Sequence, residues 1–320
     1  MPSRGLALRY RVEAAALTVV RAIAGALPDA ASWWAGAAVG FGFWALDASH
    51  RRLAVRQLRA AFPTRTDAEC RAIARKTFIH FGQLLVVLIK VSTLSAEQVR
   101  QRVEFDGEER VQQALAAGKG VILSSGHFGF WELQGIAHPL VLPPMHVLAR
   151  PLDNPALHRW LEETRTKTGN SVIYRRGAVR RVLRALEHNE CVAIMIDQHI
   201  QNADAVTVDF FNRPAATTNA MAALALRTGA PVIPVFALPM PGGRFRLLYD
   251  HPVQPPAPES PDPVREFTQR CTDVLEMYVR RYPHLWLWMH RRWRDPETGE
   301  EAVVGMFPRA QTESDAEVNE

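Results

Sequence analysis

The stretch Val121-Ile-Leu-Ser-Ser-Gly-His-Phe-Gly-Phe-Trp-Glu132 decides the fold class. An apolar run ends in two serines and a glycine, a histidine follows, and a helix-forming segment begins. A short strand with no polar alternation is buried on both faces, as strands are in a parallel sheet covered by helices. Reading outward, the same unit recurs. Strands are expected over 103–106, 120–125, 145–149, 171–174, 191–196, 206–211, 231–237 and 244–249. Helices are expected between them over 107–117, 130–138, 155–168, 177–188 and 218–229. The alternation predicts an α/β fold with a mostly parallel central sheet flanked by helices.

Further upstream, Ser49 is expected to cap a helix over 49–61 that stops before Pro63, and Asp67 one that runs to 91. Ser95 with Gln98 three residues later reads as a capping box. Downstream, the proline-rich 252–263 reads as a surface linker, followed by a helix over 263–282 and the segment 283–294. The expected organisation is an N-terminal membrane-anchoring pair of helices over 1–48, a catalytic domain over 49–294, and an acidic tail over 295–320 that is partly disordered. No internal repeat is visible.

The N-terminal segment raises the membrane question. Residues 6–27 are apolar but carry Arg9, Arg11, Glu13 and Arg21, the pattern of an amphipathic helix. The uncharged run 30–46 holds Trp33, Trp34, Phe41, Phe43 and Trp44, with arginines at 21, 51, 52, 56 and 59 around it. A spanning helix needs about 20 apolar residues. The run is therefore read as a monotopic anchor rich in interfacial tryptophan, with a tilted span or a buried helix pair as alternatives. No charged–apolar–cleavage order marks a signal peptide.

At 320 residues and 35.8 kDa the chain can bury a full core. Its composition is 48% hydrophobic and 22% charged, which argues against a disordered chain, a collagen-like repeat and a polytopic transporter. Cys70, Cys191 and Cys271 are too dispersed for a disulfide framework or structural zinc, so a reducing compartment is expected. Of 38 basic residues only Lys76, Lys90, Lys119 and Lys167 are lysine. Arginine grips phosphate bidentately, but an Arg-rich composition explains the excess equally well.

In an open α/β sheet, ligands sit beyond the carboxyl ends of the strands, where His127 falls. With His127 in the loop and Glu132 in the first turn of the helix, the carboxylate can fold back on one ring nitrogen and leave the other as a base. The alternative is a strand-end histidine that merely caps a helix. Gly126 and Gly129 would let backbone and substrate approach closely. No H-E-x-x-H, Cys/His cluster or G-x-S-x-G elbow is present, so neither a metal nor a serine nucleophile is expected.

The block from Ser124 to Glu132 resembles the H-x-x-x-x-[DE] motif of the glycerolipid acyltransferase superfamily, and most of all the lipid A biosynthesis (late, lauroyl/myristoyl) acyltransferases. Family-like pieces follow in order: Arg150-Pro-Leu-Asp-Asn-Pro155, Arg165 before Gly169, Val172-Ile-Tyr-Arg175, Asp197-Gln198, a block from Val208 to Thr217, and one from Tyr282 to Trp293. The likeness spans roughly residues 50 to 294. Phe130 stands where the family usually has asparagine and Asn212 where it has glycine, which bears on the acceptor more than on the reaction.

The resemblance implies acyl transfer with His127 as general base and Glu132 as its partner. Backbone N–H groups after Gly129 would hold the oxyanion. Arg150, Arg165, Arg175, Asp197, Gln198 and Arg213 would serve the acceptor, although for each arginine a solvated or ion-paired surface role reads equally well. The implied donor is acyl carrier protein or acyl-CoA, and the acceptor a membrane glycolipid or phospholipid. No cofactor and no nucleic acid is implied, and the expected location is the cytoplasmic face of a bacterial inner membrane. Alternative readings are a lysophospholipid acyltransferase, a thioester or lipid hydrolase, and a catalytically silent lipid-binding protein. The tryptophans and arginines of 286–294 read as mainly structural or membrane-surface, and His290 as a satisfied buried histidine and not a second base.

Overall fold

The computed structural model describes residues 4–174, 177–200 and 205–293. Four helices open the chain: α1 (Arg4–Ala26), α2 (Asp29–Leu46), α3 (Ala48–Ala61) and α4 (Asp67–Val91). The short α5 (Ala96–Arg100), β1 (Val103–Asp106), α6 (Glu108–Ala116) and β2 (Val121–Ser125) follow, then α7 (Trp131–Ala137), β3 (Met145–Ala149), α8 (Pro155–Thr166) and β4 (Ser171–Tyr174). The second half runs α9 (Ala178–Glu187), β5 (Cys191–Met195), β6 (Ala205–Asp209), β7 (Pro214–Thr218) and α10 (Ala220–Thr228). It ends in β8 (Val232–Pro239), β9 (Phe245–Tyr249) and α11 (Pro263–Arg281).

Seven strands form one sheet in the order β1-β9-β8-β2-β5-β3-β4. The five from β8 to β4 are parallel, whereas β9 returns antiparallel to β8 and carries β1 with it. Adjacent residues of each central strand face opposite layers, because side chains alternate across a sheet. Ile122, Val192 and Val232 join the layer of α9, α10 and α11, while Leu123, Cys191 and Ile233 join that of α4, α7 and α8. This is the two-faced burial expected of an apolar strand, and the α/β reading holds.

Several local expectations shift. Asp47, not Ser49, caps α3 by accepting from the His50 amide, and Thr66 with Glu69 forms the capping box of α4. Two short polar residues within two positions offer the same kind of acceptor, so composition alone does not choose between them. The strand expected over 206–211 is half of a separate antiparallel hairpin, β6–β7. Its turn puts Phe211 and Asn212 at φ 56° and 55°, a left-handed pair without glycine, and so without the usual sequence signal.

The run 30–46 is α2, and it lies along α4 at backbone contact. Its buried residues are Ser32, Gly36 and Gly40, four apart and hence one stripe. A Cβ on Gly40 would lie 2.2 Å from the Phe78 carbonyl oxygen, and one on Gly82 would lie 2.3 Å from that of Gly36. Small residues on one stripe let helices approach this closely. Asp29 adds ion pairs to Lys90 and Arg102, each at 2.9 Å. The opposite side of α2 is bare, with Trp34 71% and Phe41 50% exposed. Among the described residues, the helix long and apolar enough to cross a membrane is α4, not α2, and α4 is mostly buried as a core helix.

Candidate active site

Register builds the site. Strands β2 and β5 are neighbours, with Ser125 opposite Met195, and the Ile196 N–H continues the pairing to the Ser125 oxygen at 3.0 Å. Two residues beyond that pair, on each chain, stand His127 and Asp197. His127 Nδ1 lies 2.9 Å from Asp197 Oδ1, and the His127 amide N–H donates to Oδ2 at 2.6 Å. A side chain at Gly126 would crowd this contact, since a Cβ there would sit 3.0 Å from Oδ2.

Asp197 is buried, its side chain only 2% exposed. Burial alone would raise its carboxyl. The neighbouring His127, the two hydrogen bonds from that residue and one from Trp286 outweigh burial and hold it at about 2. A carboxylate only accepts, so Nδ1 carries the ring proton and Nε2 is left with a lone pair. The Gln198 side-chain amide nitrogen lies 3.2 Å from that Nε2 and donates to it. The His127 ring stays 19% exposed, at the carboxyl end of the sheet.

The carboxylate on Nδ1 is therefore Asp197, not Glu132 as the motif spacing implied. Gly129 takes φ +59°, and the Phe130 N–H is tied to the Ala237 oxygen, so α7 begins at Trp131 and carries Glu132 away from Nδ1. Glu132 instead receives a two-pronged bond from Arg165 in the last turn of α8, Nε to Oε2 at 2.9 Å and Nη2 to Oε1 at 2.5 Å. Burial would raise the Glu132 carboxyl, but the Arg165 charge and hydrogen bonds lower it, and His127 adds a smaller attraction. Glu132 thus remains within the electrostatic field of the imidazole without touching it.

The loop that carries His127 is fastened on all sides. Its Gly129 N–H donates to the Leu285 oxygen at 2.9 Å, and the Leu287 N–H donates to the His127 oxygen at 3.1 Å. His80, stacked on Phe130, donates from Nε2 to the Gly129 oxygen at 3.1 Å, and burial lowers this histidine to about 3, keeping it neutral. The amides of His127, Gly129 and Phe130 are consequently engaged with protein acceptors. The expectation that N–H groups following Gly129 would hold an oxyanion is not met by Gly129 or Phe130. Gly129 is needed for a close approach instead, as a Cβ there would lie 2.2 Å from the Ala237 oxygen.

The remaining candidates are scattered. Arg150 follows β3, exposed, 3.8 Å from Asp153. Arg213 closes the β6–β7 turn with its guanidinium over the Trp293 ring at 4.7 Å. Neither is brought to His127 by a recorded contact, and Arg165 is committed to Glu132. Arg175 lies outside the described residues, as does the tail over 295–320. His290 is half-buried, and burial holds it at about 4, with smaller contributions from the charges of Asp197 and His127. Among the described residues no three His, Cys, Asp or Glu side chains are grouped to hold a metal ion. Cys191 and Cys271 are buried thiols pushed up to about 12, unsuited to nucleophilic work.

Trp286 and His80 escaped the sequence reading. Trp286 was visible only as one of several tryptophans in the 282–293 block, yet its indole N–H donates to Asp197 Oδ2 at 2.9 Å. Nothing local marks His80, which sits in the apolar α4.

The chain is similar to a lipid A biosynthesis acyltransferase of Haemophilus influenzae, 25% identical over 254 residues that cover 78% of each chain. It is 26% identical over 265 residues to the lipid A biosynthesis lauroyltransferase of Escherichia coli K12, covering 81% of this chain and 85% of that one. A phosphatidylinositol mannoside acyltransferase of Mycolicibacterium smegmatis is 26% identical over 189 residues, 58% of this chain and 60% of the relative. The family model for bacterial lipid A biosynthesis acyltransferases matches residues 3–295. With a match across nearly all of its described length, the chain belongs to the bacterial lipid A biosynthesis acyltransferase family and is an acyltransferase.

Proposed function

We propose that this acyltransferase moves a fatty acyl group from a thioester on acyl carrier protein to a hydroxyl of a lipid A precursor or a related glycolipid. The observation that carries the reading is the His127–Asp197 pair, with Nδ1 fixed on a buried carboxylate and Nε2, covered by the Gln198 amide, at the mouth of the sheet. A thioester is already activated, so the work left is to make an alcohol nucleophilic. The acceptor hydroxyl displaces the Gln198 amide and gives its proton to Nε2 as its oxygen attacks the thioester carbonyl. The tetrahedral intermediate then collapses, the C–S bond breaks, and the imidazolium returns the proton to the departing thiolate. Asp197 stabilises the imidazolium, and the Glu132–Arg165 pair adds a fixed charge close by.

The bare apolar residues of α1 and α2, among them Leu8, Ile23, Trp34, Phe41 and Leu46, support a monotopic seat on the cytoplasmic face of the inner membrane. There the glycolipid's hydroxyls would meet a donor that stays in water. The similarity to the mannoside acyltransferase favours a second reading for the acceptor, a different membrane glycolipid acylated by the same chemistry.

The test is acyl transfer from acyl carrier protein and, separately, acyl-CoA to lipid A precursor and to phosphatidylinositol mannoside. The His127→Ala variant is expected to lose about 10²–10⁴-fold in turnover, the usual contribution of a general base. Wild-type turnover in that variant would remove the proposal. Trp34→Glu with Leu46→Glu is expected to release the protein from liposomes in flotation, and continued co-flotation would remove the membrane seat.

A further inference from the structure

We propose that Trp286 is a positioning residue for the base: its indole N–H holds the Asp197 carboxylate so that His127 keeps its proton on Nδ1. The inference rests on the transfer mechanism above and adds to it a part that no motif spacing suggests. Asp197 has two oxygens with divided duties. Oδ1 receives the imidazole, while Oδ2 receives the His127 amide and the indole. With the indole gone, one oxygen would keep a single amide donor, and the carboxylate could rotate about its last bond and offer the ring a poorer acceptor.

The indole is itself held firmly. Trp286 is 1% exposed, edge-on to Phe210 at 5.3 Å and to Trp288 at 4.7 Å. Its backbone is laced to the loop that bears His127, through a bridge from Phe128 to Trp286 flanked by the Leu285 and Leu287 hydrogen bonds. One short segment therefore fixes the loop that holds the imidazole and the carboxylate that the imidazole faces. A tryptophan needed only for packing could send its N–H to any carbonyl, as Trp288 does with Pro283. This one is aimed at the most buried charge of the site.

The experiment replaces Trp286 by phenylalanine and, in a second protein, by 3-benzothienylalanine, which keeps the indole's shape and lacks the N–H. The expected result in both is a kcat lower by about tenfold, the order of one charge-assisted hydrogen bond, with KM for donor and acceptor within about twofold. In nitrogen-15 histidine spectra, His127 (assigned by its absence in His127→Gln) is expected to change from one Nδ1–H tautomer to a mixture. If Trp286→Phe fails to fold, the isosteric protein decides. Wild-type kcat with an unchanged tautomer in that protein overturns the proposal. So does a lower rate accompanied only by a lower Tm. Full turnover in His127→Ala, run in parallel, would instead strike the transfer mechanism itself, and the spectra still report the tautomer without any turnover.

Discussion

Two carboxylates stand near His127, and they came there by different routes. Glu132 is five residues away in sequence and sits in the next helix, yet its oxygens are given to Arg165. Asp197 is 70 residues away and touches both the ring and the amide of His127. The difference is one of register. In a parallel sheet, neighbouring strands bring their ends together in step, so residues at equal distance past two paired strands become partners wherever they fall in the chain. A short motif read along the chain finds the histidine but not what supports it.

The comparison can be broken directly. Asp197→Asn keeps the shape but offers an amide that can present N–H to Nδ1 and select the wrong tautomer. The expected loss in kcat is about 10³–10⁴-fold, with KM little changed. Glu132→Gln should cost less activity, because the ring loses only a distant charge. If the glutamine variant proves the more damaged of the two in kcat, the assignment of partners is reversed.

Stability should rank the other way. Glu132→Gln leaves the Arg165 guanidinium, 17% exposed, without its counter-charge, and a loss of roughly 3 kcal/mol is expected in urea unfolding. Adding Arg165→Met should recover most of that loss, and a double-mutant cycle with no coupling would show that the pair contributes nothing.

The smallest effect is in acid. The Asp197 carboxyl is depressed in the folded protein, from an ordinary 3.8 to about 2. A depressed acid adds stability above its unfolded value that is lost as pH falls through the folded one. Roughly 2 kcal/mol should therefore disappear between pH 4 and 2. The Asp197→Asn protein should lack this component, so equal acid dependence in both proteins would deny the depression.

Much of the architecture was legible because it is written locally. Runs such as Val121–Ser125 and Cys191–Met195 are too short and apolar for anything but buried strands, and Ser95 with Gln98 announces α5 by spacing alone. The proposed base, His127, could be read from its place at a strand end. Asp197 and Gln198 were singled out too, but for the acceptor, since sequence does not say which strand lies beside which. The β7 strand was missed because Pro214-Ala-Ala-Thr-Thr218 carries little β-forming character, and its turn uses Phe211 and Asn212 where a glycine would have given notice. Trp286 was read only as one of a set of mainly structural or membrane-surface tryptophans, because the direction of an N–H is a tertiary fact.

The glycine stripe has a mechanical meaning. Because Gly36, Gly40 and Gly82 place two backbones in direct contact, no compliant layer of side chains separates α2 from α4. From α4, His80 reaches the oxygen of Gly129, two residues from the base. The outward tryptophan of α2 and the loop of His127 are thus joined through α4 by direct contacts. If α2 rests on a membrane, as proposed, those contacts would set the height of His127 Nε2 above its surface.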